Sequence, residues 1–231
     1  MSATPPLVIP GRALDFYLSQ GYYRMHQDLF TCLFLPVGEA VYTVHWLRLV
    51  LAQVEYGPAQ RRLLRLGQQF KIGIRPFTLT AELEELYARY RLSISFDAPD
   101  TVEEFLLAGA THNVFHTEVL ELRDAGRLVA AGIFDSGERT MAGIMNFYDP
   151  DYRKFSPGKL LMLLKLEEAR RRGYTHYYPG YVVHGYPKFD YKLFPCPAAT
   201  EVFDCLREEW FPFSWERVEA QNAALTGAAD S

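Results

Sequence analysis

Between Phe115 and Val183 the hydropathy pattern changes period twice, and the order of those changes limits the folds open to this chain. Phe115 to Leu122, Arg127 to Asp135 and Thr140 to Tyr148 have strand length and strand patterning, and Asp124-Ala125-Gly126 and Ser136-Gly137-Glu138 between them are tight-turn sequences. Lys159 to Arg172 then follows a helical period, with Ser156-Pro157-Gly158 at its start, and Tyr174 to Val183 returns to a strand. Three antiparallel strands, a helix and a further strand make a mixed α+β sheet.

Upstream segments add to this plan. Leu14 to Gln20 reads as a short helix, and Gly21 to Arg24 and Phe30 to Leu35 as strands. Ala40 to Leu51 returns from a turn at Pro36 to Glu39. Gly57 to Gly67 reads as a short basic helix and Phe70 to Arg75 as a strand. Thr80 to Arg91 is a helix with Thr80 as its cap, and a short helix follows Asp100. The expected class is α+β: a GNAT-like mixed sheet flanked by helices, with a small N-terminal antiparallel sheet packed against it. The expected division is a small N-terminal subdomain over 1–75, an acyltransferase domain over 76–220 and a flexible tail over 221–231.

Composition excludes several function classes. A net charge of −4 argues against indiscriminate coating of nucleic acid. Yet residues 1–75 are net basic and 76–150 net acidic, so local basic patches arise at Arg61-Arg62-Leu63-Leu64-Arg65 and around Arg153, Lys154 and Lys159. The three cysteines, Cys32, Cys196 and Cys205, show no CxxC spacing, and the six histidines show no HxH or HxxxH spacing. Neither a disulfide framework nor a metal site is expected. No segment nears the roughly 18 apolar residues a membrane helix needs, and the N-terminus has no basic stretch before an apolar run. A cytoplasmic protein is the expectation.

From Asn146 to Phe194 the chain carries its chemistry. Two charged loops, Asp149 to Lys154 and Lys188 to Lys192, stand at the ends of one β-α-β unit, and the helix start between them offers free N–H donors to an anion. Leu128-Val129-Ala130, Phe147-Tyr148-Asp149-Pro150, Ser156-Pro157-Gly158, Gly180-Tyr181 and Tyr191-Lys192, in that order, resemble the C-terminal domain of the arginyl/leucyl-tRNA-protein transferases. Gly21-Tyr22-Tyr23-Arg24 and Arg61 to Arg65 resemble upstream blocks of the same family. Family members typically carry an N-terminal cysteine cluster, whereas this sequence has only Cys32 in that region.

The resemblance implies transfer of an aminoacyl group, arginyl or leucyl, from the 3′ end of aminoacyl-tRNA to the N-terminal amine of acceptor proteins with acidic N-termini. The tRNA ester is already activated, so neither a cofactor nor a protein nucleophile is required. Positioning, an oxyanion partner and a proton acceptor suffice. Asp149, and second Asp135, are candidates to orient or deprotonate the amine, while Asp149-Pro150-Asp151 also reads as a plain turn. Ser156, Gly158 and Lys159 are placed at the ribose or a phosphate, with Ser156 as an ordinary N-cap the alternative. Tyr177, Tyr178 and Tyr181 are candidates for stacking on the terminal adenine or lining the aminoacyl pocket, against simple packing. Lys192 is a candidate phosphate or oxyanion partner, with Asp190 and Tyr191 beside it, and Arg24 and Arg48 are candidates for an acidic acceptor side chain. Two other readings remain: a coenzyme A-dependent N-acyltransferase on a small amine, whose Gln/Arg-x-x-Gly-x-Gly/Ala signature is not written here, and a non-catalytic protein that binds tRNA ends or protein N-termini.

Overall fold

The computed structural model describes residues 8–227. In chain order the elements are α1 (Gly11–Ser19), β1 (Tyr23–Met25), β2 (Asp28–Phe30), β3 (Phe34–Val37), β4 (Ala40–Val50), α2 (Pro58–Gly67), β5 (Lys71–Pro76), α3 (Ala81–Leu92) and α4 (Val102–Leu106). Then come β6 (Thr117–Asp124), β7 (Arg127–Ser136), β8 (Thr140–Tyr148), α5 (Pro157–Arg171), β9 (His176–Val183), β10 (Thr200–Asp204), β11 (Glu209–Pro212) and α6 (Trp215–Gly227). Short 3-10 turns over Pro150–Phe155 and Pro187–Leu193 bracket the α5–β9 unit.

The strand-strand-strand-helix-strand order read from the sequence is present, and the class is α+β with a mixed sheet between helices. β6, β7 and β8 form an antiparallel meander. Ala125 and Gly126 both take positive φ, 48° and 90°, which the first hairpin turn requires. Thr80 caps α3 by accepting from the Leu83 N–H, as expected. Every residue of β7 after Arg127 is buried because helices cover both sheet faces. On one face α5 inserts Leu160, Leu161, Leu163 and Leu166, all 0% exposed, beside Leu63 of α2. On the other, Leu83, Leu86 and Tyr87 of α3 and Val102 and Leu106 of α4 pack on Val119, Leu128, Ala131, Ile133 and Phe147. Each such leucine contributes about 1.5–3 kcal/mol of burial.

The main sheet has nine strands, with β11-β10-β4-β9-β8-β7-β6-β5 in order and β3 paired to β4. The small antiparallel sheet is the β1–β2 hairpin alone. The long strand expected to complete a separate N-terminal sheet is instead central: β4 pairs with β9 on one side and β10 on the other, while β5 joins β6. The sheet thus runs across the boundary expected at residue 75. The physical reason lies in β4, whose consecutive Val44, His45, Trp46 and Leu47 are all buried and need cover on both faces. At the other end, residues 221–227 of the expected flexible tail belong to α6, where Gln221 and Leu225 are buried; residues 228–231 lie outside those described.

One feature of the sheet positions a site. β8 and β9 are parallel and pair only at Thr140–His176, Met141–Tyr177 and Ala142–Tyr178. Beyond that point β8 stays with β7 and β9 with β4, so the two strands part like a fork. The sequence cause is local. Pro179 has no N–H to offer a ladder, Gly180 takes φ 102°, and bulges occur on both flanks, between Ile133 and Phe134 and between Leu47 and Leu49.

Candidate active site

A cavity of about 440 Å³ fills the fork. Gly143 to Asn146 of β8 form one wall and Pro179 to Tyr181 of β9 the other; Tyr87 and Tyr90 of α3 close one side, and Tyr191 and Lys192 close another. Tyr23 of β1 wedges the crotch, where its hydroxyl donates to the carbonyl oxygens of Gly143 and Tyr178, the latter at 3.0 Å. Its ring stacks on Trp46 at 5.2 Å, so the β1–β2 hairpin is anchored at the site. The walls are aromatic and aliphatic, and the charged side chains that line them, Arg24, Lys165 and Lys192, are all cations.

The two lysines differ in surroundings. Lys165 projects from α5, is 1% exposed, and donates to the Ile133 carbonyl at 3.2 Å, beside the β7–β8 bulge. Burial pushes its ammonium down to about 7. Lys192 follows the β9 strand, donates to the Tyr181 carbonyl at 3.1 Å and stands over the rings of Tyr181 and Phe189 at 4.4 and 4.9 Å. Burial, and then neighbouring Lys188, push it down to about 7 as well. The rings act in the opposite sense, because a π-face favours the ammonium form. Gly143 lets two side chains approach the β8 backbone: a Cβ there would clash with the Tyr177 hydroxyl and stand 3.4 Å from Lys165 Nζ.

Of the residues expected from sequence, Tyr181, Tyr191, Lys192 and Arg24 line the cavity, and Tyr177 joins them. The others stand elsewhere. Asp149 is 2% exposed, and its carboxylate pairs with Arg127 and with Arg89 at 3.5 Å while capping the Asp151 N–H at 3.1 Å. It makes turn and ion-pair contacts and does not line the cavity. Asp135 is 0% exposed and pairs with Arg24 at 2.9 Å, with Thr117 donating to the same carboxylate. Arg24 also donates to the carbonyls of His26 and Leu106, so the pair is an internal rivet and its guanidinium is already saturated. In this arrangement Arg24 has no donor left over for the carboxylate of an acceptor. Arg48 is likewise occupied, by Glu201 at 2.6 Å and the Trp210 ring at 4.5 Å.

Ser156 does not cap α5 with its side chain; it takes a left-handed conformation, φ 49°, and only its carbonyl enters the helix, accepting from Leu160 N–H. Gly158 sits against the Tyr148 ring, which meets Tyr90 of the cavity wall at 5.2 Å, so the start of α5 is one aromatic layer from the cavity. Lys159 lies over Phe194 at 4.7 Å. Tyr178 packs its ring on Trp210 and contributes only its carbonyl to the fork. Asp190 flanks the wall without lining it, and its Oδ1 is buried with no partner among the described residues, which pushes the carboxyl up.

Lys165 is the residue the sequence reading missed. Its signal was present: Leu161, Leu166 and Ala169 around it are fully buried, so a lysine at this position sits on the apolar stripe of α5. Tyr87 and Tyr90 of α3 serve both core and cavity.

The family model described as "Arginine-tRNA-protein transferase, C terminus" matches residues 82–197, half of the 231-residue chain. The chain belongs to this family. The matched span runs from α3 to just before β10 and so contains both strands of the fork, α5 and the Lys192 segment. Among curated relatives, an aspartate/glutamate leucyltransferase of Stenotrophomonas maltophilia is 27% identical, covering 67% of this chain and 68% of its own length. A leucyltransferase of the same name from Leptospira interrogans is 27% identical over 84% of this chain and 76% of its own. Arginyl-tRNA–protein transferase 1 of Arabidopsis thaliana is 28% identical over 65% of this chain and 27% of its own. The transferase-family chain is therefore an aminoacyltransferase. Among the described residues no helix is long and apolar enough to cross a membrane.

Proposed function

We propose that this protein moves a leucyl group from the 3′ end of charged tRNA to the N-terminal amine of proteins that begin with Asp or Glu. The observation that supports the choice of donor is the lining of the cavity: apolar walls with no carboxylate among the lining residues, and basic side chains of which Arg24 is already paired with Asp135. A leucyl side chain loses nothing by entering such a site. An arginyl side chain would bring a guanidinium into an apolar cavity with no carboxylate on its wall and two lysines, a strongly unfavourable transfer. Lys192, held by two rings and one carbonyl, is the group we assign to the acceptor's carboxylate.

The rest of the site fits this assignment. Tyr87, Tyr90, Ile144 and Met145 offer the donor side chain an apolar surface. The β8–β9 ladder stops after Ala142 and Tyr178, which leaves backbone donors of the fork available to an ester carbonyl as its charge develops. The α5 start, one layer away, carries Lys159 and free N–H groups suited to the phosphate of the terminal nucleotide. Arg61, Arg62 and Arg65, all exposed on α2, have no ion-pair partner among the described residues, and α2 packs against α5. They give the acceptor stem a positive face.

The test is a mass-shift assay on peptides beginning with Asp, Glu or Lys, each incubated with leucyl-tRNA or arginyl-tRNA. Leucyl addition to the Asp and Glu peptides alone is expected. Arginyl addition would overturn the donor assignment, and equal modification of the Lys peptide the acceptor assignment.

A further inference from the structure

We propose that Lys165 is the catalytic base that takes the proton from the attacking amine; this inference rests on the aminoacyl-transfer reading above. The reaction needs such a group. As the acceptor nitrogen bonds to the ester carbon it becomes an ammonium, and from that tetrahedral species the amine leaves more easily than the ribose oxygen. Removing one proton from nitrogen prevents the reversal. The C–O3′ bond then breaks, and the same proton passes from the Lys165 nitrogen to O3′. One C–N bond forms, one C–O bond breaks, and no proton is gained or lost overall.

Geometry selects Lys165. Lys165 lines the cavity at the start of the fork, where the missing Cβ of Gly143 lets its Nζ and the Tyr177 hydroxyl approach the β8 backbone. One protein acceptor, the Ile133 carbonyl, holds it, and no carboxylate pairs with it among the described residues. A buried lysine used only for structure would have a counter-ion or a full set of acceptors.

Lys165 bonds the Ile133 carbonyl of β7, and the titratable groups that line the same cavity are Tyr23, Arg24 and His26 from and beside β1, Tyr87 and Tyr90 from α3, Tyr177 and Tyr181 from β9, and Tyr191 and Lys192 from the segment after β9. None is an acid that would hold Lys165 charged. Burial pushes its ammonium down to about 7, so an unprotonated amine is available at neutral pH. Lys192 is less suited to the role, because the Tyr181 and Phe189 faces favour its charged form. Tyr177 is not a base either, since burial pushes its phenol well up.

The experiment is single-turnover transfer to an Asp-initiated peptide from pH 5.5 to 9, with leucyl-tRNA and arginyl-tRNA each as donor, for the parent, Lys165→Met and Lys165→Ala. The parent should show a rate that rises with a midpoint near pH 7. Lys165→Met should lose about 100-fold or more in rate together with that limb, with the acceptor KM changed less than about threefold. Methylamine added to Lys165→Ala should restore peptide product in proportion to the free amine. Circular dichroism of both variants checks that they fold, and a methionine is well suited to a site that leaves an ammonium almost unpaired. Lys165→Met within about fivefold of the parent, or keeping the same pH limb, would overturn this inference alone. A parent that transfers from neither tRNA would overturn the proposed function and this inference with it.

Discussion

Replacing Asp135 by alanine separates a structural carboxylate from a catalytic one. Its side chain is 0% exposed and its partner Arg24 is 2% exposed, so the substitution strands a guanidinium in the interior. Removing one partner of a buried ion pair costs about 3–5 kcal/mol. His26 and Leu106 carbonyls and Thr117 still accept from Arg24, which places the expectation at the lower end of that range. For a chain of this size, about 2–4 °C per kcal/mol gives a loss of roughly 6–20 °C in the thermal midpoint. The paired change Arg24→Met with Asp135→Leu removes both charges and should recover most of the loss. Urea unfolding followed by far-UV circular dichroism, with midpoint and slope fitted for each variant, measures these values. If Asp135→Ala unfolds within about 1 kcal/mol of the parent while transfer per folded molecule collapses, the rivet argument is wrong and the carboxylate is catalytic.

Three further outcomes follow from the geometry. Gly143→Ala sets a methyl 2.2 Å from the hydroxyl of Tyr177, which is itself 1% exposed and held in the core; overpacking there should cost about 1–3 kcal/mol and displace Lys165, seen as a lowered thermal midpoint together with a slower transfer step. Lys192→Met should raise the KM for Asp- and Glu-initiated peptides at least tenfold with kcat changed far less, and Lys192→Arg should restore part of it; an unchanged KM removes Lys192 from acceptor binding. Glu168 has its carboxyl held below the ordinary 4.5, first by bonding to Arg171 and then by Arg172 against an opposing effect of burial. A depressed carboxyl contributes stability that is complete above that ordinary value and fades as pH falls through the lowered one. Glu168→Gln should therefore melt lower than the parent at pH 7 and converge with it toward pH 3, and a gap that stays constant with pH would refute the ion-pair account.

What the sequence by itself determined is the order of the elements from α1 to β9; β10, β11 and α6 lay outside its reach. The short apolar run of Arg127 to Asp135 between turn sequences, the turn at Ala125-Gly126 and the Thr80 cap are local effects, settled by strand length, by positive φ and by one hydroxyl, and all three appear where expected. The blocks around Phe147 to Asp149, Gly180-Tyr181 and Tyr191-Lys192 likewise led to the family. Only the tertiary structure decided which of their side chains reach the site. Asp135 and Arg24, 111 residues apart, neutralise each other, while Asp149 turns to Arg89 and Arg127. A charge cannot be assigned to catalysis until its partner is known, and its partner is set by sheet order and helix packing, not by neighbouring residues. The converse holds for Lys165. Its place on an apolar helical stripe was visible in sequence, but that stripe faces a cavity only because β8 and β9 separate after Ala142 and Tyr178.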